Sequence, residues 1–443
     1  MKKTIIIVAI VLVILIGSVL AIPIFFKQSL LDTTKSTINK YINAKIEFAN
    51  LKLSLFQNFP KATLELNDVI IIGESDFSND TLLNTSFIKA TLSLPSLFKK
   101  SGVIVEEIII EQPQLKLIVN EAGKSNWDFM SSNDSIKTVL AKSDVENQAS
   151  NNMFNLHLDK IEIKNGSLFY FNKQADIIVD FMGINFDIAG KLYGATTVLI
   201  TNGDIDIFNL KYKNINYISN TSLKTKMELN VDYETMKISV AKNELFVNNL
   251  VLELKGNMEI PSDSTFFDLQ IKTKESDFEN FLALVPEHYN SYLKDVKTSG
   301  SASINGNLKG LLFDENYPAF SLNLDIAEGN FQYENYPEQI KNITADIRIF
   351  KPQGKLNLTE IKVNDAHAEI KNNPIDLTLM VNNLVDDPWF DGAFIGKLNF
   401  DHLKDVIPLD SVNITGIIDA NLFVKGNYSA IENEEYDRIN SDG

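Results

Sequence analysis

The residues of this chain that could ligate a metal or move a proton near neutral pH are its four histidines, His157, His288, His367 and His402. They stand singly, and no two share the short spacing that brings ligands to one ion. Each therefore reads as a surface or strand histidine. With no cysteine, the chain has no disulfide, thiol nucleophile or thiolate metal site. It also has no Gly-x-Ser-x-Gly elbow, no Gly-x-Gly-x-x-Gly turn, no phosphate-binding glycine loop and no calcium loop. Carboxylates are plentiful, but they fall on the polar positions of alternating stretches, and no two can be paired as acid and base. No catalytic residue, metal set or cofactor is expected. An anchored hydrolase would need a carboxylate pair or a serine site that the sequence does not offer.

The elements around these residues explain what the chain is built for. Met1-Lys2-Lys3 is followed by an uncharged run from Thr4 to Phe26, long enough to cross a bilayer as one helix. The lysines hold that end in the cytoplasm, so the body from Lys27 onward is exported. A cleaved signal peptide is the alternative, with Val19 and Ala21 small enough to precede the cut. Against it, apolar residues continue through Ile22, Pro23, Ile24, Phe25 and Phe26. The chain has 443 residues, 58 acidic against 41 basic, for a net charge of −17. That balance argues against nucleic acid and against electrostatic attraction to an anionic lipid surface.

After a juxtamembrane helix over 27–45, the dominant period is two. Leu250, Leu252, Leu254, Gly256, Met258 and Ile260 share one face, and Val251, Glu253, Lys255, Asn257 and Glu259 the other. The same pattern recurs in Ala302–Leu312, Phe320–Ile326, Ile343–Ile349, Ile375–Val381 and Ile414–Val424. Asn165-Gly166, Asn202-Gly203, Lys255-Gly256 and Glu328-Gly329 read as turn or bulge chemistry between antiparallel strands. Three places break the pattern: a turn at Pro95–Lys100, a polar loop or joint over 131–152, and a helix near 276–296. Ser276 and Glu279 would cap that helix. The organisation is then an N-terminal β-region over 46–130, a long β-region over 153–427, and an acidic tail over 428–443 that reads as disordered or as the point where a longer protein is cut.

Strands of this kind build a sheet with one apolar face, which water disfavours by about 25 cal/mol per Å². Helices are too scarce to cover it, and an outer-membrane barrel suits a chain tethered in another membrane poorly. The expected fold is mainly β: an elongated, curled antiparallel sheet forming a β-groove, with an N-terminal transmembrane helix and few short helices.

Ile108–Leu117, with Pro113 at its centre, is followed by Asn120, Gly123 and Asn126-Trp127-Asp128. This resembles the Pro-x-apolar-x-apolar … Gly-x-x-Asn-Trp passage of the AsmA family. Ile161–Tyr170 is similar to the strand that follows it there, and Ala327–Tyr333 with Pro337 to a later strand and turn. The resemblance implies a bacterial inner-membrane anchor, a periplasmic body, and a role in outer-envelope assembly or phospholipid traffic. Family members are typically longer, which fits truncation or a short variant. Pro113, Gly123, Asn126 and Trp127 are expected to be structural: a strand edge or start, a turn, and a large buried aromatic.

The leading expectation is a groove that takes membrane phospholipids by their acyl chains, lined by Leu250, Leu252, Leu254, Met258, Ile260, Ile304, Leu308, Leu322, Leu324, Ile347, Leu377 and Leu379. The alternative is an anchored scaffold or regulator of outer-membrane protein assembly, with a dry apolar core and outer-envelope proteins as partners.

Overall fold

The structure, a computed structural model, describes residues 45–73, 75–78, 80–98, 103–127, 154–192, 195–213, 215–261, 264–273, 276–282, 296–313, 316–384, 386–403, 405–406 and 415–443. The expected membrane segment over 1–26, nearly all of the juxtamembrane helix over 27–45, the polar segment over 131–152 and most of the helix over 276–296 lie outside these residues. Among the described residues, no helix is long and apolar enough to cross a membrane. Strands dominate, helices are few and short, and the chain divides into two compact units, Met1–Glu234 and Thr235–Gly443. Strands on both sides of 131–152 belong to the first unit.

In the first unit, β1 (Lys45–Glu47) and β2 (Asn50–Asn58) both pair with β3 (Lys61–Ile72), which pairs in turn with β4 (Thr81–Ser93). Next come β5 (Val103–Glu111), β6 (Gln114–Val119), β7 (Phe154–Asn172), β8 (Ile177–Ala189), β9 (Thr196–Tyr212) and β10 (Ile215–Asp232). One departure from the all-antiparallel expectation is local. β4 pairs antiparallel with both β5 and β6, and β7 pairs parallel with both. β5 and β6 thus act as one strand broken at Gln112-Pro113, where Gln112 has φ 52° and proline has no N–H to give a ladder. The parallel pairing requires a long connection from β6 back to the start of β7. Side-chain alternation does not report strand direction, so this was not readable from the sequence.

The second unit is an antiparallel meander: β11 (Lys237–Val247), β12 (Leu250–Glu259), β13 (Thr265–Thr273), the short β14 (Ser276–Asp277), β15 (Val296–Leu312), β16 (Ala319–Tyr333), β17 (Ile340–Lys351), β18 (Glu360–Ile370), β19 (Asn373–Asn382), β20 (Trp389–Asn399), β21 (Ile417–Asn427) and β22 (Asn440–Asp442). From β11 to β13 and from β15 to β22 each strand pairs with the next, and β13 and β14 both pair with β15. Helix α1 (Phe278–Leu282) starts just after the expected cap, because Ser276 and Asp277 are still paired with β15.

One sequence expectation is narrowed here and another corrected. Of the turn or bulge read at Asn165-Gly166 and Glu328-Gly329, the structure has bulges, inside β7 and β16 and not at strand borders, where the register shifts. The residue before each glycine takes the positive φ, 49° at Asn165 and 51° at Glu328. The glycines answer a different need: a Cβ on Gly166 would lie 3.1 Å from Pro113 Cγ, and one on Gly329 would lie 3.0 Å from Ile343 Cβ. The tail is also ordered. Asp387 accepts hydrogen bonds from the Ser429 N–H (3.0 Å) and Oγ (2.8 Å) at the start of α3 (Tyr428–Glu432), which follows α2 (Phe400–Leu403). These bonds, the backbone one first, hold the Asp387 carboxyl below its usual range. Beyond α3, β22 pairs with Phe423–Lys425 of β21.

Candidate functional site

Directly opposed residues of neighbouring strands share a face, so register decides which side chains meet. At the level of Leu254 the partners across the second unit are Ile271, Gly306, Leu322, Ile349, Ile361, Val381, Phe390 and Gly426. One level away run Ile304, Leu324, Ile347, Val363, Leu379, Gly392 and Val424. A third level runs Ala302, Ile326, Ala345, Ala366, Leu377, Phe394 and Leu422. Leu269 and Leu308 are opposed, as are Met258 and Phe267. The opposite face carries Glu253, Lys272, Asn305, Asn323, Arg348 and Lys362 at one level. Eleven of the twelve expected lining residues therefore lie on one face. Ile260 is the exception in kind: it follows the end of β12 and is exposed.

Burial divides that face. Leu250, Leu252, Ala302 and Ile304 are buried in one cluster with Phe278 and Phe281 of α1, and Leu322, Leu324 and Ile326 pack against it. Leu250, Leu252 and Ile304 thus serve a core under α1 rather than an open surface. The sequence signal for that roof was the pair Phe278 and Phe281, three apart on a helix. Away from α1 the face opens: Leu377 and Leu422 are each 39% exposed, and Ile418 is 47% exposed. Between these regimes is an apolar depression of about 300 Å³ around Gly306. β18 and β20 had no place in the sequence reading. In β18 the register slips between Val363 and Ala366, which breaks the period of two. In β20 Ala393 and Ile395 put apolar residues on the polar side and blur it.

Lys351 closes one end of a row. It is opposed to Phe320, is 1% exposed, and gives its ammonium to the carbonyls of Pro352 (2.8 Å), Tyr317 (3.2 Å) and Gly354 (3.2 Å). Burial pushes its pKa down. On the polar face, His367 Nδ1 is 2.7 Å from Asp376 Oδ1 and its Nε2 is 3.6 Å from Glu369. The Asp376 hydrogen bond, with Glu369 assisting, raises the imidazole pKa. Among the described residues no acidic or histidine cluster could hold a metal ion.

The Pro113–Trp127 passage builds a clamp in the first unit. Asn126, 2% exposed, accepts the Ile118 N–H at Oδ1 (2.9 Å) and donates Nδ2 to the Lys116 carbonyl (2.8 Å), so its carboxamide stands in for a strand on β6. Asn120 Oδ1 accepts from the N–H groups of Ala122 and Lys124, forming a tight turn in which Gly123 takes φ 77°. Trp127 packs its ring 6.3 Å from Tyr170 on β7. The Pro113 carbonyl accepts the Ser167 N–H at 2.7 Å. Pro113 and Trp127 tie this passage to β7, while Gly123 shapes the turn and Asn126 covers the edge of β6.

These features define a class: a mainly β protein whose strands bring apolar side chains to one sheet face and keep charge on the other. The AsmA family model matches residues 1–194, so the N-terminal portion of the chain is similar to the AsmA family. The Pro113–Trp127 clamp and Ile161–Tyr170 lie inside the match, and Ala327–Tyr333 lies outside it. No curated protein and no solved structure matches the chain.

Proposed function

We propose that the apolar face holds phospholipid acyl chains. In this reading residues 1–26 anchor the protein in a bacterial inner membrane, the body occupies the periplasm, and the chain serves lipid transport and outer-membrane biogenesis without catalysing a reaction. The observation that carries it is the register of the second unit, which lines up Ile347, Leu377, Leu379 and their partners on a face left half-exposed beyond α1. Each methylene moved from water onto such a face is stabilised by up to about 0.8 kcal/mol, so a tail of a dozen carbons gains enough to be held without a polar site. The match of residues 1–194 to the AsmA family model supports the same reading.

The test is a pair of substitutions on opposite faces, Leu379→Lys and Asn323→Lys, with co-purifying lipid as readout. Leu379→Lys should lose bound phospholipid while the protein stays folded, and Asn323→Lys should keep it. Equal lipid in both folded variants would overturn the reading and favour a scaffold for outer-membrane protein assembly. Leu252 is unsuitable for this test, since a charge there would disrupt the core under α1.

A further inference from the structure

The depression of about 300 Å³ in the second unit is lined by Leu254, Leu269, Ile271, Leu308, Phe320 and Leu322, with Gly306 among them, and also borders on Asn307 and Ser321, whose side chains hydrogen-bond to each other (2.6 Å). All six large side chains are half-buried, so the lining is apolar yet open to solvent. It has boundaries. On one side Ile271 and Leu322 also pack against the cluster roofed by Phe278 and Phe281. Past Phe320 the row ends at Lys351, whose ammonium is turned into three backbone carbonyls. Gly306 keeps the floor low: Leu322 Cδ1 and Ile271 Cγ2 come within 2.9 and 3.0 Å of where its Cβ would stand.

We propose that this depression is a discrete seat for the end of one unbranched acyl chain, a proposal that rests on the lipid-holding reading above. At about 30 Å³ per small group the volume takes on the order of ten methylenes, enough for one tail end and too little for two. The six large apolar side chains offer contact without a hydrogen-bonding demand, and Asn307 and Ser321 bond to each other, which suits a hydrocarbon tail. The rest of the lipid then lies over the open face toward β17 and β19.

The experiment uses the full chain with vesicles of phosphatidylcholine bearing a photoreactive diazirine near the end of one acyl chain. After irradiation, adducts are mapped by mass spectrometry of peptides. The seat predicts adducts concentrated on β13, β15 and β16, around Leu269, Leu308 and Phe320. Leu308→Trp, whose larger side chain takes up part of the depression, should cut them about tenfold, the loss expected when about two methylenes are displaced. Asn323→Lys, on the opposite face of β16, should leave them in place. Adducts spread evenly over β17 to β21 would overturn the seat while leaving the acyl-binding face intact. No adduct on any strand would overturn both. The mapping on the unsubstituted chain decides even where Leu308→Trp does not fold.

Discussion

Replacing Asn126 with leucine keeps the branching at Cγ, with methyl groups in place of the amide oxygen and nitrogen, and removes both of its hydrogen bonds to β6. The Ile118 N–H then loses its acceptor in a buried site, and the Lys116 carbonyl loses its donor in a half-buried one. An orphaned buried backbone group costs about 1–3 kcal/mol, with the half-buried carbonyl at the low end. The sum is about 3 kcal/mol, or roughly a hundredfold in the local opening constant. Amide hydrogen exchange over Gln114–Val119 reads this locally, whereas a global melt would mix the responses of two units. Exchange at Ile118 should rise on the order of a hundredfold. Asn126→Asp should behave differently with pH: protonation restores a donor toward the Lys116 carbonyl, so its exchange should approach that of the unsubstituted chain as pH falls. If Ile118 in folded Asn126→Leu exchanges within about threefold of the parent, the clamp does not hold β6, and the structural role given to the Asn-Trp passage is refuted.

Phe281→Ala removes half of the roof over Leu250, Leu252 and Ile304, and a buried Phe→Ala change costs about 3–5 kcal/mol. Chemical denaturation should show that loss together with increased binding of a hydrophobic dye; an unchanged midpoint would mean α1 is not a roof. His367 has a raised pKa in the fold, so the stability it adds is complete below the ordinary histidine value of about 6.5 and disappears as pH rises through the raised value. The gap in thermal midpoint between the parent chain and His367→Gln should therefore be widest in mildly acidic buffer and close in mildly alkaline buffer. A gap that widens with pH would contradict the Asp376 pairing.

Much of the sheet was legible because alternation survives without knowledge of partners. Leu254, Leu308, Leu322 and Leu379 were assigned to one face from four separate stretches, and register brings them onto it. What alternation cannot encode is direction and cover. The parallel pairing of β6 with β7 leaves no mark on side-chain order, and whether Leu252 faces solvent or Phe278 depends on a helix a quarter of a hundred residues further along. Asn-Gly chemistry is shared by turns and bulges, so Asn165-Gly166 could be placed only by what lies opposite it. The burial of Lys351 leaves no mark in the sequence, because it depends on a carbonyl 34 residues earlier, at Tyr317, meeting those of Pro352 and Gly354. The tail read as disordered or as the cut end of a longer protein because its cap, Asp387, precedes it by some forty residues.

The central claim is that the open part of this face holds lipid. The most direct measurement is mass spectrometry of lipids extracted from the full chain after mild detergent purification and extensive washing, set against protein amount. The account predicts phospholipid at roughly one or more per chain, the amount expected when a tail's worth of methylenes is held. Folded, β-rich protein that carries no phospholipid would contradict it and return the apolar face to a scaffold's core.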